Sequence, residues 1–352
     1  MTIALVNGVR LNYVQAGPDH GPVEDLVMVH GLSTNLAFWY LQYAAAFSKR
    51  YRVTFYDVRG HGRSETTPSG YRPSDLANDL RGLLDHLGIR RAHFVAHSFG
   101  GVIALALACA ERDRVASLVL ADTHIAAARD RAASDWSQRA RMQRLLDDSG
   151  IELDTRDPYF GYQLLTVAAR LQSRGASMPA ELADLVGPLL GRQGARTAAQ
   201  WLALMEGTTA EAELMGDDGL TLGALHQLRF PILAMYGDHS QARLTGSEFL
   251  RLWPHAEFRR VRNAGHFFPT TRSAEVIDTC QRFWDGAFDA APAQRSGDVG
   301  ERHFRSERIY RFEGLWYCLT REGEPLGPFS IEEEAREELG SYISAMGGLT
   351  TA

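Results

Sequence analysis

The sequence predicts an α/β fold: a mostly parallel sheet covered by helices, interrupted by a helical insertion and followed by a small α+β module. Three observations carry this expectation. Short apolar runs alternate with helical periodicity up to residue 122, strand periodicity is missing over 123–227, and the alternation returns over 228–288.

In chain order, 3–6 and 9–15 alternate around Asn7-Gly8, which is the pattern of a β-hairpin and so of an antiparallel edge. Residues 25–30 form a continuous apolar run, and 36–47 follow as a helix. Residues 51–56 give the next strand, ending in Asp57-Val58-Arg59-Gly60-His61-Gly62-Arg63-Ser64. A helix over about 74–87 carries Leu76, Leu80, Leu83, Leu84 and Leu87 on one side, with Ser74 as its expected cap. A buried strand at 92–96 leads through Ser98 into Gly100-Gly101 and an Ala, Leu, Val and Ile-rich helix; 115–121 is a further strand, ending at Asp122.

The insertion reads as helices near 136–146, 159–171, 180–190 and 198–205, a cap over the edge of the sheet where loops carry variation. Strands at 231–236 and 257–261 and helices at 246–253 and 273–288 complete the core. The expected organisation is therefore a core of 1–122 and 228–288, a cap of 123–227, a small and polar linker at 289–300, and a module at 301–347. In that module 308–320 alternates around Gly314, 321–327 reads as a turn, and Ser330-Ile331-Glu332-Glu333 is a capping box that opens a helix to about 345. So short a module is marginal alone, which predicts packing on the main domain, dimerisation or docking of a partner.

The chain has 352 residues, 45% hydrophobic, with a net charge of -6, so neither nucleic acid nor an anionic membrane is an expected partner. Three separated cysteines, Cys109, Cys280 and Cys318, favour free thiols and a reducing compartment. No leader pattern or membrane-length apolar run is present, so a cytoplasmic location is expected. No metal-ligand spacing or dinucleotide fingerprint occurs, and no cofactor or metal is expected.

The chemistry centres on Ala96-His97-Ser98-Phe99-Gly100, close to the G-x-S-x-G elbow but with alanine for the first glycine. A serine hydroxyl is a weak nucleophile and needs a base, an orienting acid and donors for a developing oxyanion. His266, on the glycine-containing turn after the last strand, is the candidate base. His30-Gly31-Leu32-Ser33 follows a neighbouring strand, and the backbone N–H groups of Leu32 and Phe99 are the candidate oxyanion donors. His97 is expected to line or support the site.

Taken in order, His30-Gly31, Asp57 to Ser64, Ala96 to Gly101 and Gly265-His266 resemble the α/β-hydrolase fold superfamily in its capped, serine-dependent form, over about 3–288. The resemblance implies an eight-stranded sheet, a Ser-His-Asp triad and hydrolysis of an ester, thioester or lactone, or of a C–C bond, through an acyl-enzyme. Serine in place of aspartate as nucleophile disfavours dehalogenase and epoxide-hydrolase chemistry.

The acid departs from the pattern. Many relatives carry it three residues after the glycine that ends the penultimate strand, where Gly237-Asp238-His239-Ser240 has a serine. Asp122, at the end of the strand before the cap, is the preferred candidate and Asp238 the alternative, with Ser240 or a water as a stand-in. Trp39, Phe99 and Phe267 from the sheet side, and Trp136, Tyr159, Phe160, Tyr162, Leu164, Leu165, Trp201 and Met205 from the cap, are candidates to line a pocket for a moderately hydrophobic small-molecule acyl substrate. Most of the cap residues also fit plain helix packing. The competing reading is a ligand-binding or adaptor protein on the same scaffold, motivated by the serine where an acid is usual.

Overall fold

The N-terminal alternation folds as the antiparallel pair β1 (Thr2–Val6) and β2 (Val9–Ala16), with Asn7 and Gly8 at positive φ in the turn. The apolar runs become β3 (Glu24–Val29), β4 (Tyr51–Tyr56), β5 (Ala92–His97), β6 (Val115–Ala121), β7 (Ile232–Gly237) and β8 (Glu257–Val261). Their order in the sheet is β1-β2-β4-β3-β5-β6-β7-β8; the first two pairings are antiparallel and the rest parallel. Parallel strands need both faces covered, which is why the central ones are apolar throughout rather than alternating.

In chain order the helices are α1 (Ala37–Phe47), α2 (Pro73–His86), α3 (Phe99–Ala110), α4 (Arg139–Asp148), α5 (Phe160–Ser173), α6 (Gly194–Gly207), α7 (Ala210–Leu214), α8 (Leu222–His226), α9 (Arg243–Leu252), α10 (Phe268–Thr271) and α11 (Ser273–Trp284). Helices α1 and α11 cover one face, setting Trp39, Tyr43, Val276 and Cys280 against Met28, Phe55 and Val95. Leu76, Leu80 and Leu83 of α2 and Val102 and Ile103 of α3 cover the other. Helix α2 starts at Pro73, with Arg72 extended before it, so Ser74 lies inside the helix and is not its cap. Proline suits the first helical position and pushes the residue before it out of the helical region, which moves the boundary.

The computed structural model describes residues 2–18, 21–127, 139–176, 186–187, 194–286, 309–312, 315–319, 325–329, 335–336 and 339, and the chain divides into two compact units, Met1–Ala287 and Phe288–Ala352. Between β6 and β7 the described residues contain helices and turns but no strand. Phe160 and Leu164 of α5 pack with Trp201 and Leu204 of α6, and the Trp201 indole donates to Thr166 Oγ1 at 3.0 Å. Several hydrogen bonds hold this insertion to the loop after β4, among them those of Thr209 to the Pro68 carbonyl. Glu213 accepts the N–H groups of Gly70 and Tyr71, and Gln200 donates to the Gly62 carbonyl at 3.1 Å. Of the helix expected at 180–190 only 186–187 are described, and Trp136 lies outside the described residues.

In the second unit β9 (Ile309–Phe312), β10 (Leu315–Leu319) and β11 (Pro325–Phe329) form an antiparallel sheet in the order β11-β10-β9. The stretch 321–327, expected as a turn, thus supplies the start of a third strand. Its prolines are tolerated because β11 is at the sheet edge, where a missing N–H breaks no ladder. The linker expected at 289–300 lies outside the described residues, as does most of the final helix. Cys280 and Cys318 are buried and Cys109 half-buried, and none of the three is in a disulfide. Among the described residues no helix is long and apolar enough to cross a membrane, and no group of three or more His, Cys, Asp or Glu side chains is placed to hold a metal ion.

Candidate active site

Strand β5 ends at His97 and α3 begins at Phe99, leaving Ser98 alone on the turn with φ 54° and ψ -124°. A non-glycine residue held there stores on the order of 1–3 kcal/mol of strain, so the surroundings must enforce it. They do so by close approach. A Cβ on Gly100 would stand 2.5 Å from the His30 carbonyl oxygen, and one on Gly101 1.9 Å from Thr123 Oγ1, so only glycine lets α3 start this near β3 and the end of β6. Ala96, where the elbow pattern has its other glycine, is fully buried between Val29 and Leu120, and the sheet accommodates its methyl group.

The Ser98 hydroxyl lies 3.0 Å from His266 Nε2, and His266 Nδ1 lies 2.6 Å from Asp122 Oδ2. A carboxylate only accepts, so the imidazole proton sits on Nδ1 and Nε2 is free to accept from the serine. Asp122 has no exposed side-chain surface, while His266 keeps 25% of its own and is reachable from one side. Oδ1 of Asp122 accepts the Gly237 N–H at 3.1 Å, and Oδ2 also accepts the Ser240 hydroxyl. Asp238, the alternative acid, is turned elsewhere: its carboxylate accepts the Ala264 N–H at 3.1 Å and faces the His239 ring at 3.7 Å.

The loop after β3 is shaped by His30. The Val58 N–H donates to its Nε2 at 3.0 Å, which puts the ring proton on Nδ1, 2.8 Å from the Gly31 carbonyl; Thr34 donates to that carbonyl at 2.7 Å. Asp57 braces the same loop by accepting the Leu36 N–H at 2.7 Å and the Arg63 N–H at 2.8 Å. Among the described residues neither the Leu32 N–H nor the Phe99 N–H has a partner. Phe99 is the first residue of α3, whose leading amides have no intrahelical acceptor.

His97 is buried and donates from Nε2 to the His266 carbonyl at 2.9 Å, bracing the loop that presents the candidate base. Burial, and then the neighbouring His266, push its pKa well below the ordinary histidine value, so it stays neutral. Trp39, expected at the pocket, has no exposed surface and gives its indole N–H to the Val29 carbonyl at 3.0 Å. The aromatic on the His97 ring is Phe38, half-buried and stacked at 4.7 Å. One residue along α1 is a rotation of about 100°, which separates a core position from a site position. Phe267 is half-buried, 5.6 Å from the His97 ring and against Gly187 of the insertion. Of the expected cap lining, Phe160, Leu164, Leu165, Trp201 and Met205 are buried among themselves, whereas Tyr162 is half-buried with its ring edge-on to Phe99 at 6.3 Å and Tyr159 is half-buried beside it. A cavity of about 920 Å³ opens between α2, the end of α3 and residues 212–220, and includes none of Ser98, His266 or Asp122.

Three buried neutral histidines give the unit an acid limit. Burial lowers the pKa of His30 and His97, and burial with the nearby His30 lowers that of His61 to about 4. The unfolded chain takes up protons near pH 6.5 while the folded one resists, so stability is complete above that value and falls as the pH drops toward 4. Urea midpoints should decline over this window, and His61→Gln should flatten the decline; an unchanged slope would contradict the assignment.

The profile of the alpha/beta hydrolase fold family matches residues 26–272, and one described only as a domain of unknown function (DUF6316) matches 294–348. A 3-oxoadipate enol-lactonase 2 of Acinetobacter baylyi is 38% identical over 136 residues, 39% of this chain and 49% of that protein. This chain thus spans about half of that relative's length. A soluble epoxide hydrolase of Corynebacterium sp. is 25% identical over 80% of this chain and 96% of its own. Among solved structures, the enol-lactonase from Burkholderia xenovorans LB400 superposes with a TM-score of 0.56 at 26% identity, covering 81% of this chain and all of that one.

Proposed function

Because the chain belongs to the alpha/beta hydrolase fold family, we propose that it is a serine hydrolase whose triad is Ser98, His266 and Asp122. The observation that carries this is the unbroken hydrogen-bond chain from the Ser98 hydroxyl through His266 to the buried Asp122. In this reading His266 Nε2 takes the hydroxyl proton as Ser98 attacks an acyl carbon, and the Leu32 and Phe99 N–H groups receive the oxyanion. The protonated His266 then gives its proton to the leaving group, and water repeats the sequence to release the acid. Asp122 holds the imidazole in the tautomer this needs and stabilises its cationic form.

The substrate class is an ester, thioester or lactone of a moderately hydrophobic small molecule, with C–C hydrolysis of a β-diketone-like compound as the further member. The enol-lactonase relatives favour the lactone among these. Epoxide opening through an enzyme ester needs a carboxylate where this chain has Ser98, so the relative of that name supports the fold and not the reaction. The binding-protein reading rests on the serine at position 240, and the contact of Asp122 with His266 supports the hydrolase reading over it. Free thiols support a reducing, cytoplasmic setting, and for 301–347 dimerisation or partner docking remains our reading.

A fluorophosphonate probe tests the proposal without knowledge of the substrate. Covalent labelling at Ser98, together with turnover of at least one member of a panel of aryl esters, lactones and thioesters, is the expected result. A folded protein that neither labels nor turns over any of them would overturn it.

A further inference from the structure

Asp122 and Ser240 approach each other from the ends of two neighbouring parallel strands, β6 and β7. The sequence puts serine at the place where many relatives of this fold carry their acid. The structure gives that serine a defined environment: it is buried, its N–H donates to the Gly237 carbonyl at 3.1 Å, its Oγ accepts the Ala242 N–H at 3.1 Å, and its proton goes to Asp122 Oδ2. With the Ala242 N–H on one lone pair, the hydroxyl directs its proton toward Asp122. That direction meets the same carboxylate oxygen that accepts from His266 Nδ1 at 2.6 Å.

We propose that Ser240 is the positioning residue of the acid–histidine pair, fixing the Asp122 carboxylate for His266, and that position 240 can itself house the acid when Asp122 is removed. This rests on the hydrolase reading above. Each Asp122 oxygen has a fixed donor, Gly237 N–H on Oδ1 and Ser240 Oγ–H on Oδ2, so the carboxylate cannot rotate away from the imidazole without losing both. A donor on Oδ2 also withdraws negative charge from the atom facing His266, which tempers how strongly the pair holds the imidazolium. The other titratable groups around the pair are His97, neutral and 4.7 Å from the His266 ring, Tyr236, whose hydroxyl is engaged on the Thr123 carbonyl at 2.7 Å, and Asp238, engaged on the Ala264 N–H. None of them donates a hydrogen bond to Asp122.

An aspartate at 240 would set its carboxylate oxygens about one bond beyond Oγ, on the side where Oγ meets Asp122 Oδ2. In Asp122→Asn/Ser240→Asp, the carboxamide oxygen at position 122 keeps the Gly237 N–H, and the NH₂ group beside it donates to the new carboxylate. That carboxylate is then free to accept from His266 Nδ1. The exchange keeps three side-chain oxygens in the cluster and puts two amide N–H donors in place of one O–H donor.

The test is kinetic and spectroscopic on the full chain. Ser240→Ala should lower kcat about tenfold with KM nearly unchanged, the scale of a hydrogen bond to a charged group. It should also move the acid limb of the kcat/KM profile to higher pH. Ser240→Thr, which keeps the hydroxyl, should retain most of the parent kcat. Asp122→Asn/Ser240→Asp should exceed Asp122→Asn alone by at least about tenfold, because the acceptor that sets the imidazole tautomer is restored. A folded Ser240→Ala with parental kcat and pH profile, or a double variant no faster than Asp122→Asn, overturns the proposal. The ¹⁵N titration of the His266 imidazole, compared between parent and Ser240→Ala, requires no turnover. If no substrate is cleaved and Ser98 stays unlabelled, the hydrolase reading has failed, and the titration alone decides Ser240: displacement supports its hold on the pair, coincident curves refute it.

Discussion

Ser98→Ala is expected to abolish hydrolysis, with a loss in kcat on the order of 10⁶-fold as for a triad serine removed alone. Covalent labelling by a fluorophosphonate should vanish at the same time. Alanine keeps the Cβ that the turn already accommodates and removes only the hydroxyl, so the fold has room for it. Circular dichroism and the thermal midpoint should therefore stay close to the parent. A variant that keeps a tenth of the parental rate would assign the chemistry to another group.

Asp122→Asn should cost about 10⁴-fold in kcat, because the carboxamide can present an N–H to His266 Nδ1 and so favour the wrong tautomer. The effect is kinetic more than structural, since the Gly237 N–H still has an oxygen to bond. Asp238→Asn, measured beside it, should change kcat by less than about tenfold, since Asp238 bonds a backbone amide two residues from His266 and never reaches the ring. The reverse ranking would transfer the acid to Asp238 and dissolve the triad of Ser98, His266 and Asp122.

Most of the candidate site could be read before the fold because each member lies where a strand meets a turn. The serine before two glycines, the histidine-glycine pair after β3 and the histidine after β8 are local patterns, and local patterns survive without coordinates. The acid is different. Asp122 and Asp238 each follow the end of a strand, β6 and β7, and these strands are neighbours in the sheet though more than a hundred residues apart in the chain. Choosing between them depends on which carboxylate turns inward, and spacing carries no such information.

Two other differences also turn on what spacing leaves open. Phe38 and Trp39 are both aromatic, and apolar periodicity places α1 on the sheet without fixing its rotation to the residue, so Trp39 is a core residue and not the accessible wall expected of it. In the second unit the glycine and prolines at 325–329 have the composition of a turn. Only the position of β11 on a sheet edge, a fact of tertiary pairing, makes a strand of them.

The positive φ at Ser98 sets the interests of function and of folding against each other. Glycine would adopt that backbone conformation with less strain, and the neighbours that force the turn would tolerate it. A lineage under pressure for thermal endurance alone would thus drift away from serine at this position. Under the proposed triad, that strain is the cost of holding a hydroxyl at the tip of the bend, where a glycine would leave nothing to attack with.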